Sequence, residues 1–421
     1  MSWRLTSRLF VLSVAAVLAP MATSTATAGQ AAASTAAVPV PASLSLNDAL
    51  VRASEASPAA VAARTARLID AAGVSAAEQR PNPELAFEYD KETPHWAFTG
   101  TMPIEVAGKR QRRIDVANAT LAVTDAETAR IGADLRADVR RAYFQAVAAD
   151  RRVAIAQELE ALATRARDAA QERFQTGAAP RLEALQASLT LSQAQNDVAA
   201  ARGDATAARA DLNALLAYPA GSAPALGDPL EAGPVPAIDA VTQETLAGNA
   251  ELAVLQRRID EASARLSLAH ALRHPDPAVS GALTYDAPGE FTVGWRAGAT
   301  IALPIFTTGK PEVAIADATL KQAQADRTAR VAQITGAVAA ALARATAARQ
   351  SVERYQADIL PASLQVEQMA DESYRAGQTG LPAYLQTVQA AREVRQRAMQ
   401  AGLDYQLALA DLERAMGTPL R

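Results

Sequence analysis

The chain writes the same turn twice. FQTGAAPRLEALQAS at 174–188 returns as YRAGQTGLPAYLQTV at 374–388, with Gly177 and Gly377, Leu185 and Leu385, and Gln186 and Gln386 matched at an offset of 200. DLNALLAYP at 211–219 returns as DLERAMGTP at 411–419 with the same offset. PIEVAGK at 103–109 returns as PIFTTGK at 304–310, and RPNPEL at 80–85 as HPDPAV at 274–279, at offsets of 201 and 194. Offsets that drift only where short loops can lengthen mark a duplicated module. A Pro/Gly-rich stretch, 220–237, joins the first repeat (43–219) to the second (238–421).

Each repeat carries the same order of elements. The pattern predicts a helix over 45–79 and again over 238–272, ended by a Pro-x-Pro that cannot continue it. Two short alternating segments follow. Then come a long helix (110–174, 311–374), a glycine turn and a further helix (182–217, 382–416). Gly177 and Gly377 stand where a helix end favours a left-handed residue. The long helix spans roughly 100 Å at 1.5 Å per residue, which a wall of side-by-side coiled coils accommodates and a globular core does not. The composition agrees: 50% of the residues are hydrophobic but only 4% aromatic, the surplus being mostly alanine. Such helices approach closely through small side chains.

The alternating segments predict strands over 83–90, 95–104, 277–286 and 291–303. Leu85, Phe87 and Tyr89 share one face, as do Trp96, Phe98 and Met102, and Tyr285 and Trp295 lie on the same kind of face in the second pair. Their lengths approach the 9–11 residues of a transmembrane strand, and aromatics suit lipid-facing strands near the interfaces. A soluble hairpin packed on the helices is the other reading. In a membrane, four strands cannot close a barrel and an open edge is not tolerated, so the membrane reading requires several copies.

The start of the chain reads as an export signal. Arg4 and Arg8 precede an apolar run, and Ala26-Thr27-Ala28 fits the small-x-small cleavage rule, giving a signal peptide over 1–28 and a flexible lead over 29–42. An uncleaved anchor is the alternative. No later stretch reaches roughly 18 continuous apolar residues. With no cysteine in the chain, thiolate metal sites, a cysteine nucleophile and a lipidated cysteine are excluded.

Other chemistry is sparse. A net charge of −4, from 41 basic and 45 acidic residues, gives no bias toward nucleic acid. No phosphate-binding loop and no nucleophile elbow is present. His270 and His274 have the spacing of metal ligands on one helix face, but His274 stands where the first repeat has Arg80, as a helix-end cation. No cofactor, catalytic residue or metal site is expected. The basic run Lys109, Arg110, Arg112 and Arg113 reads either as a contact to anionic lipid head groups or as a solvated helix start.

The signal peptide, the doubled order of helix, hairpin, long helix, turn and helix, and the paired G…LQ turns resemble the TolC family of outer-membrane efflux proteins. The resemblance covers about 43–419. RPNPELAFEYD with PIEVAGKRQRRIDVA is most similar to its heavy-metal branch, of cobalt-zinc-cadmium type. The resemblance implies a mainly α fold with a small membrane β part: a homotrimer whose twelve strands close a barrel in outer-membrane lipid above a periplasmic helical tunnel. It implies a passive, non-enzymatic duct in the outer membrane of a Gram-negative cell, with a periplasmic membrane-fusion adaptor and an inner-membrane RND-type pump as partners. Divalent metal cations are the expected substrates, with multidrug efflux or type I protein secretion as the alternative; a poreless periplasmic scaffold is a further one. The turns take the adaptor-docking role in the family, which falls here on Phe174, Gly177, Leu185 and Gln186 and on Tyr374, Gly377, Leu385 and Gln386. The family's acidic gate positions after the second turn are neutral here, Ala383 and Gln386, leaving Glu183 as the candidate gate residue.

Overall fold

The computed structural model describes residues 40–230, 245–287, 289, 291–376 and 378–420. The predicted signal peptide, most of the 29–42 lead, part of the linker and Gly377 lie outside them.

Local chemistry sets the helix ends. Leu46–Ala56 (α1) begins at Ser45, whose side chain forms a reciprocal capping box with Asp48. The predicted 45–79 helix is in fact two. Pro58 opens Pro58–Ala77 (α2); it has no N–H to extend α1, and it holds Ser57 at φ −55°, ψ 136°. Lys109–Gln175 (α3) is one unbroken helix of 67 residues, and Arg181–Leu216 (α4) returns along it.

The second repeat departs from the expected pattern twice. Its first described long helix is Ala250–Leu272 (α5), because Asn249 caps it by accepting the N–H groups of Glu251 and Leu252. Its long helix runs as Lys310–Arg354 (α6), a π turn at Tyr355–Ile359, and Leu360–Arg375 (α7). Pro361 is the cause: it offers no N–H and crowds the carbonyl four residues back, and the Leu360 N–H reaches five residues back to Tyr355. Leu381–Met416 (α8) completes the repeat. The α6–α7 run contains an 18-residue window apolar enough by composition to cross a membrane; it packs on α5 and α8.

Helix α3 organises the wall. Its first half meets α2 through Arg67–Asp125 (2.6 Å) and α5 through Arg258–Glu127 (2.7 Å). Its second half meets α4 through Arg209–Asp150 (2.7 Å) and α8 through Arg152–Gln400 (2.8 Å). Buried alanines such as Ala137, Ala146, Ala148 and Ala170 line these contacts, as the composition requires. Midway, Glu413 is buried between Arg136 and Arg140.

The stretch read as a linker is fastened. Ala225–Leu226 (β4) pairs in parallel with Ser43–Leu44 (β1). Asp228 accepts the Tyr143 hydroxyl at 2.7 Å and the Leu46 N–H at 2.6 Å. Burial, then the Asp228 carboxylate, pushes the Tyr143 phenol well up. Leu230 is buried against Gly402, where a Cβ would stand 3.2 Å from the Leu230 Cβ.

Candidate membrane sheet and tunnel-end turns

Glu84–Tyr89 (β2), Trp96–Pro103 (β3), Pro277–Ala287 (β5) and Phe291–Ile301 (β6) form one antiparallel sheet in the order β2-β3-β5-β6. Its register aligns Phe87, Phe98, Leu283 and Trp295 in one row, and Tyr89, Trp96, Tyr285 and Val293 in the next. All four predicted membrane residues, Trp96, Phe98, Tyr285 and Trp295, therefore share a face. Phe87 and Phe98 pack with ring centroids 4.9 Å apart, Tyr89 and Trp96 at 4.6 Å. The face is open: Leu85, Phe87, Phe98, Leu283 and Trp295 are each more than half exposed. The alternate rows carry Glu84, Glu88, Thr99, Thr101, Thr284 and Arg296. One side of the sheet suits hydrocarbon and the other water, the division of a membrane barrel wall.

The basic run does not face outward. Lys109 is buried and meets Asp276 at 2.8 Å. Arg110 donates to the Glu78 carbonyl (2.9 and 2.6 Å), and Arg113 to those of Ala77 (3.1 Å) and Gln79 (2.8 Å) and to Glu105. These guanidinium groups satisfy the carbonyls at and just past the end of α2, which have no partner within the helix. The lipid-contact reading of this run is thus corrected: it fastens α2 to α3. Arg112 alone stays on the surface, 3.4 Å from Asp115. His270 lies in the last turn of α5, and no group of three metal-capable side chains occurs among the described residues.

At the far end the two turns share one closure. The Ala178 N–H reaches the Arg173 carbonyl (2.8 Å) and the Gln378 N–H reaches that of Ser373 (2.9 Å), five residues back in each case. Gly177 has φ +75°, the left-handed value its position predicts; Gly377 lies outside the described residues. Side chains divide the pair. Phe174, Leu185 and Gln186 are exposed, and Glu183 accepts from Arg173 at 3.0 Å. Tyr374 instead stacks on Tyr384 at 4.8 Å, and Leu385 packs beside Ala166, Ala170, Ala187 and Val388. Gln386 borders an open groove of about 660 Å³ between α7 and α8, with Val366 and Val394. Sequence reading missed Tyr384, which stands where the first repeat has Ala184; its hydroxyl is 3.3 Å from Asp371, and burial followed by that carboxylate raises its pKa. It also missed the Arg392–Asp197 pair (2.9 Å), which ties α8 to α4 across the repeats.

A wall of long helices carrying at one end a sheet with one apolar and one polar face defines a channel-forming protein. The chain matches the outer membrane efflux protein family over residues 49–217 and 241–418, one match to each repeat, and it belongs to that family. It is 26% identical over 352 residues, 82% of this chain and 83% of the relative, to the cobalt-zinc-cadmium resistance protein CzcC of Cupriavidus metallidurans. Its fold is similar to the CmeC outer membrane channel of Campylobacter jejuni, with a TM-score of 0.73 at 16% identity, covering 88% of this chain and 85% of that one. It is also similar to the open state of the MtrE outer membrane channel of Neisseria gonorrhoeae, with a TM-score of 0.72 at 18% identity over 89% of each chain. Both of these solved structures are of outer membrane channels.

Proposed function

We propose that the protein is the outer-membrane duct of a tripartite efflux system and that it carries divalent metal cations of the cobalt, zinc and cadmium class. The observation that carries the reading is the sheet: an open apolar face, a polar reverse, and two unpaired edges at the head of a helical wall. Hydrocarbon tolerates no open edge, so three copies closing a twelve-stranded barrel satisfy what one copy leaves unsatisfied. The relative's name supports the metal assignment. The duct is passive: cations delivered by an inner-membrane pump of RND type cross the tunnel without chemistry.

The turns dock the periplasmic adaptor. Phe174, Leu185 and Gln186 offer an apolar, exposed first turn, and the α7–α8 groove beside Gln386 suits a partner helix laid lengthwise. Glu183 supplies the acidic position at the mouth, held by Arg173 within its own repeat. Docking favours the dilated mouth to the extent that the adaptor binds that state more tightly.

Deleting the gene and measuring cell-associated zinc, cobalt, nickel and cadmium beside dye and drug retention tests the substrate. Metal accumulation with normal drug retention is the expected result; drug accumulation alone keeps the duct and sinks the metal assignment. A charged residue at Gly177 is expected to abolish export while leaving the oligomer intact, and unimpaired export from that variant removes the first turn from the docking surface.

A further inference from the structure

One contact inside the chain joins the repeats where sheet meets helices. The Asp276 carboxylate accepts the Val106 N–H at 3.0 Å and the Lys109 ammonium at 2.8 Å, and the Ile104 N–H reaches the Pro277 carbonyl at 2.9 Å. The Pro-x-Pro of the second repeat thus staples the strand-to-helix turn of the first. Burial alone would raise the Asp276 pKa; the Lys109 hydrogen bond, the Val106 N–H and the Lys109 charge outweigh it and hold the carboxyl below its usual range.

The duplication contains a second set of the same parts, and within one chain they do not meet. At an offset of 201, Ile104, Val106 and Lys109 become Ile305, Thr307 and Lys310; at 194, Asp276 and Pro277 become Asn82 and Pro83. Asn82 precedes β2 and Lys310 follows β6, and these are the two edge strands of the sheet. Both side chains are exposed, and neither has an ion-pair or hydrogen-bond partner among the described residues. Lys310 opens α6, where the helix dipole disfavours a cation; its counterpart Lys109 opens α3 with Asp276 to offset that cost.

We infer that Asn82 of the partner subunit occupies the vacant staple: its side-chain oxygen accepts the Thr307 N–H and faces the Lys310 ammonium, while the Ile305 N–H exchanges its local bond to the Leu303 carbonyl, 2.9 Å in the single chain, for the carbonyl of the partner subunit's Pro83. The inference rests on the ring of copies proposed above and gives its seam a register. Transposing the β3–β5 pairing, in which Met102 faces Val279, sets Leu303 opposite the partner subunit's Leu85 and Ile301 opposite the partner subunit's Phe87. These are apolar on apolar, and in the single chain Leu303 is 69% and Leu85 87% exposed.

The stagger also fits closure. Within one chain Leu85 is in row with Ala297, through Gly100 and Gly281. The seam sets Leu303, two residues past the end of β6, in that place, six residues further along the chain, hence eighteen over three copies. A barrel closes only with such a shear. Eighteen residues over twelve strands, at about 3.3 Å per residue and 4.7 Å per strand, tilt the strands by about 45°, the tilt of membrane strands.

Because the chain has no cysteine, the seam can be read by cross-linking. Full-length protein carrying both Asn82→Cys and Lys310→Cys, treated in the membrane with a short bis-maleimide, is expected to give covalent dimers and trimers; either single variant gives neither. Co-expressed single variants are expected to stop at dimers. Native mass of the same preparation in detergent separates the two levels of the inference. A trimer by mass with no covalent ladder overturns the staple and leaves the ring; a monomer overturns the ring and the staple with it. Asn82→Asp, which rebuilds the pairing seen at Asp276, is expected to raise the temperature at which the oligomer dissociates in detergent, and Lys310→Ala to lower it. An unchanged dissociation temperature in both overturns the assignment of these side chains.

Discussion

The two repeats share a plan and spend it differently. The first has an unbroken 67-residue helix, a basic run stapled onto α2, and a far turn whose apolar side chains face water. In the second, the long helix is interrupted by a π turn, Lys310 has no partner among the described residues, and the turn buries Tyr384 against alanines of the first repeat. Duplication preserved the backbone signals, which are local, and released the side chains, whose partners lie elsewhere. One repeat serves as the seat and the other as the element set into it.

The matched positions Asn213 and Glu413 give one of the two largest expected losses and a contrast beside it. Glu413→Ala strands Arg136 and Arg140 at a contact between repeats and is expected to cost about 3 kcal/mol. Asn213→Ala loses only hydrogen bonds to the carbonyls of Ala220 and Ser222 and is expected to cost about 1 kcal/mol. Urea midpoints of the purified oligomer compare them, and equal losses would break the seat-and-insert distinction.

The turns come next. Tyr384→Ala empties a packed site and is expected to cost about 3 kcal/mol, whereas Leu185→Ala removes an exposed side chain and is expected to stay within about 0.5 kcal/mol. Export assays alongside the melts sharpen the comparison: Leu185→Ala is expected to lower export with stability unchanged.

Acid separates the two staples. Asp276 has a depressed carboxyl, so its contribution is present above the ordinary aspartate value of about 3.9 and is lost as pH falls through its lower folded value. Asn82 does not titrate. Asp276→Asn is expected to flatten the loss of stability below about pH 4 while leaving the subunit seam unaffected, as stability scans from pH 6 to about pH 3 would show.

The smallest effect lies at the ends of α4 and α8. Ala217 is left-handed at φ +53° where the second repeat has Gly417 at +65°. Ala217→Gly is expected to stabilise by about 0.5–1 kcal/mol. Gly417→Ala is expected to destabilise by more than the Ala217→Gly gain, because its Cβ would stand 2.9 Å from Asn249. Paired thermal midpoints test both.

Much of this molecule was decided along the sequence. Period-two alternation fixed which face of each strand is apolar, the offsets of 200 and 201 fixed the repeat, and Gly177 fixed a turn, because each is a short-range rule that a residue and its near neighbours satisfy alone. Pro58 and Pro361 were also legible there, although the periodicity around them predicted continuous helices. Tertiary structure decided the rest. The order β2-β3-β5-β6, the burial of Lys109 on Asp276, the fastening of 225–230 by Tyr143, and the stacking of Tyr374 on Tyr384 all join residues far apart in the chain or on separate helices. Whether a lysine is a solvated helix start or a buried half of an ion pair depends on what another element brings within about 3 Å of it, and no pattern within its own segment carries that distance.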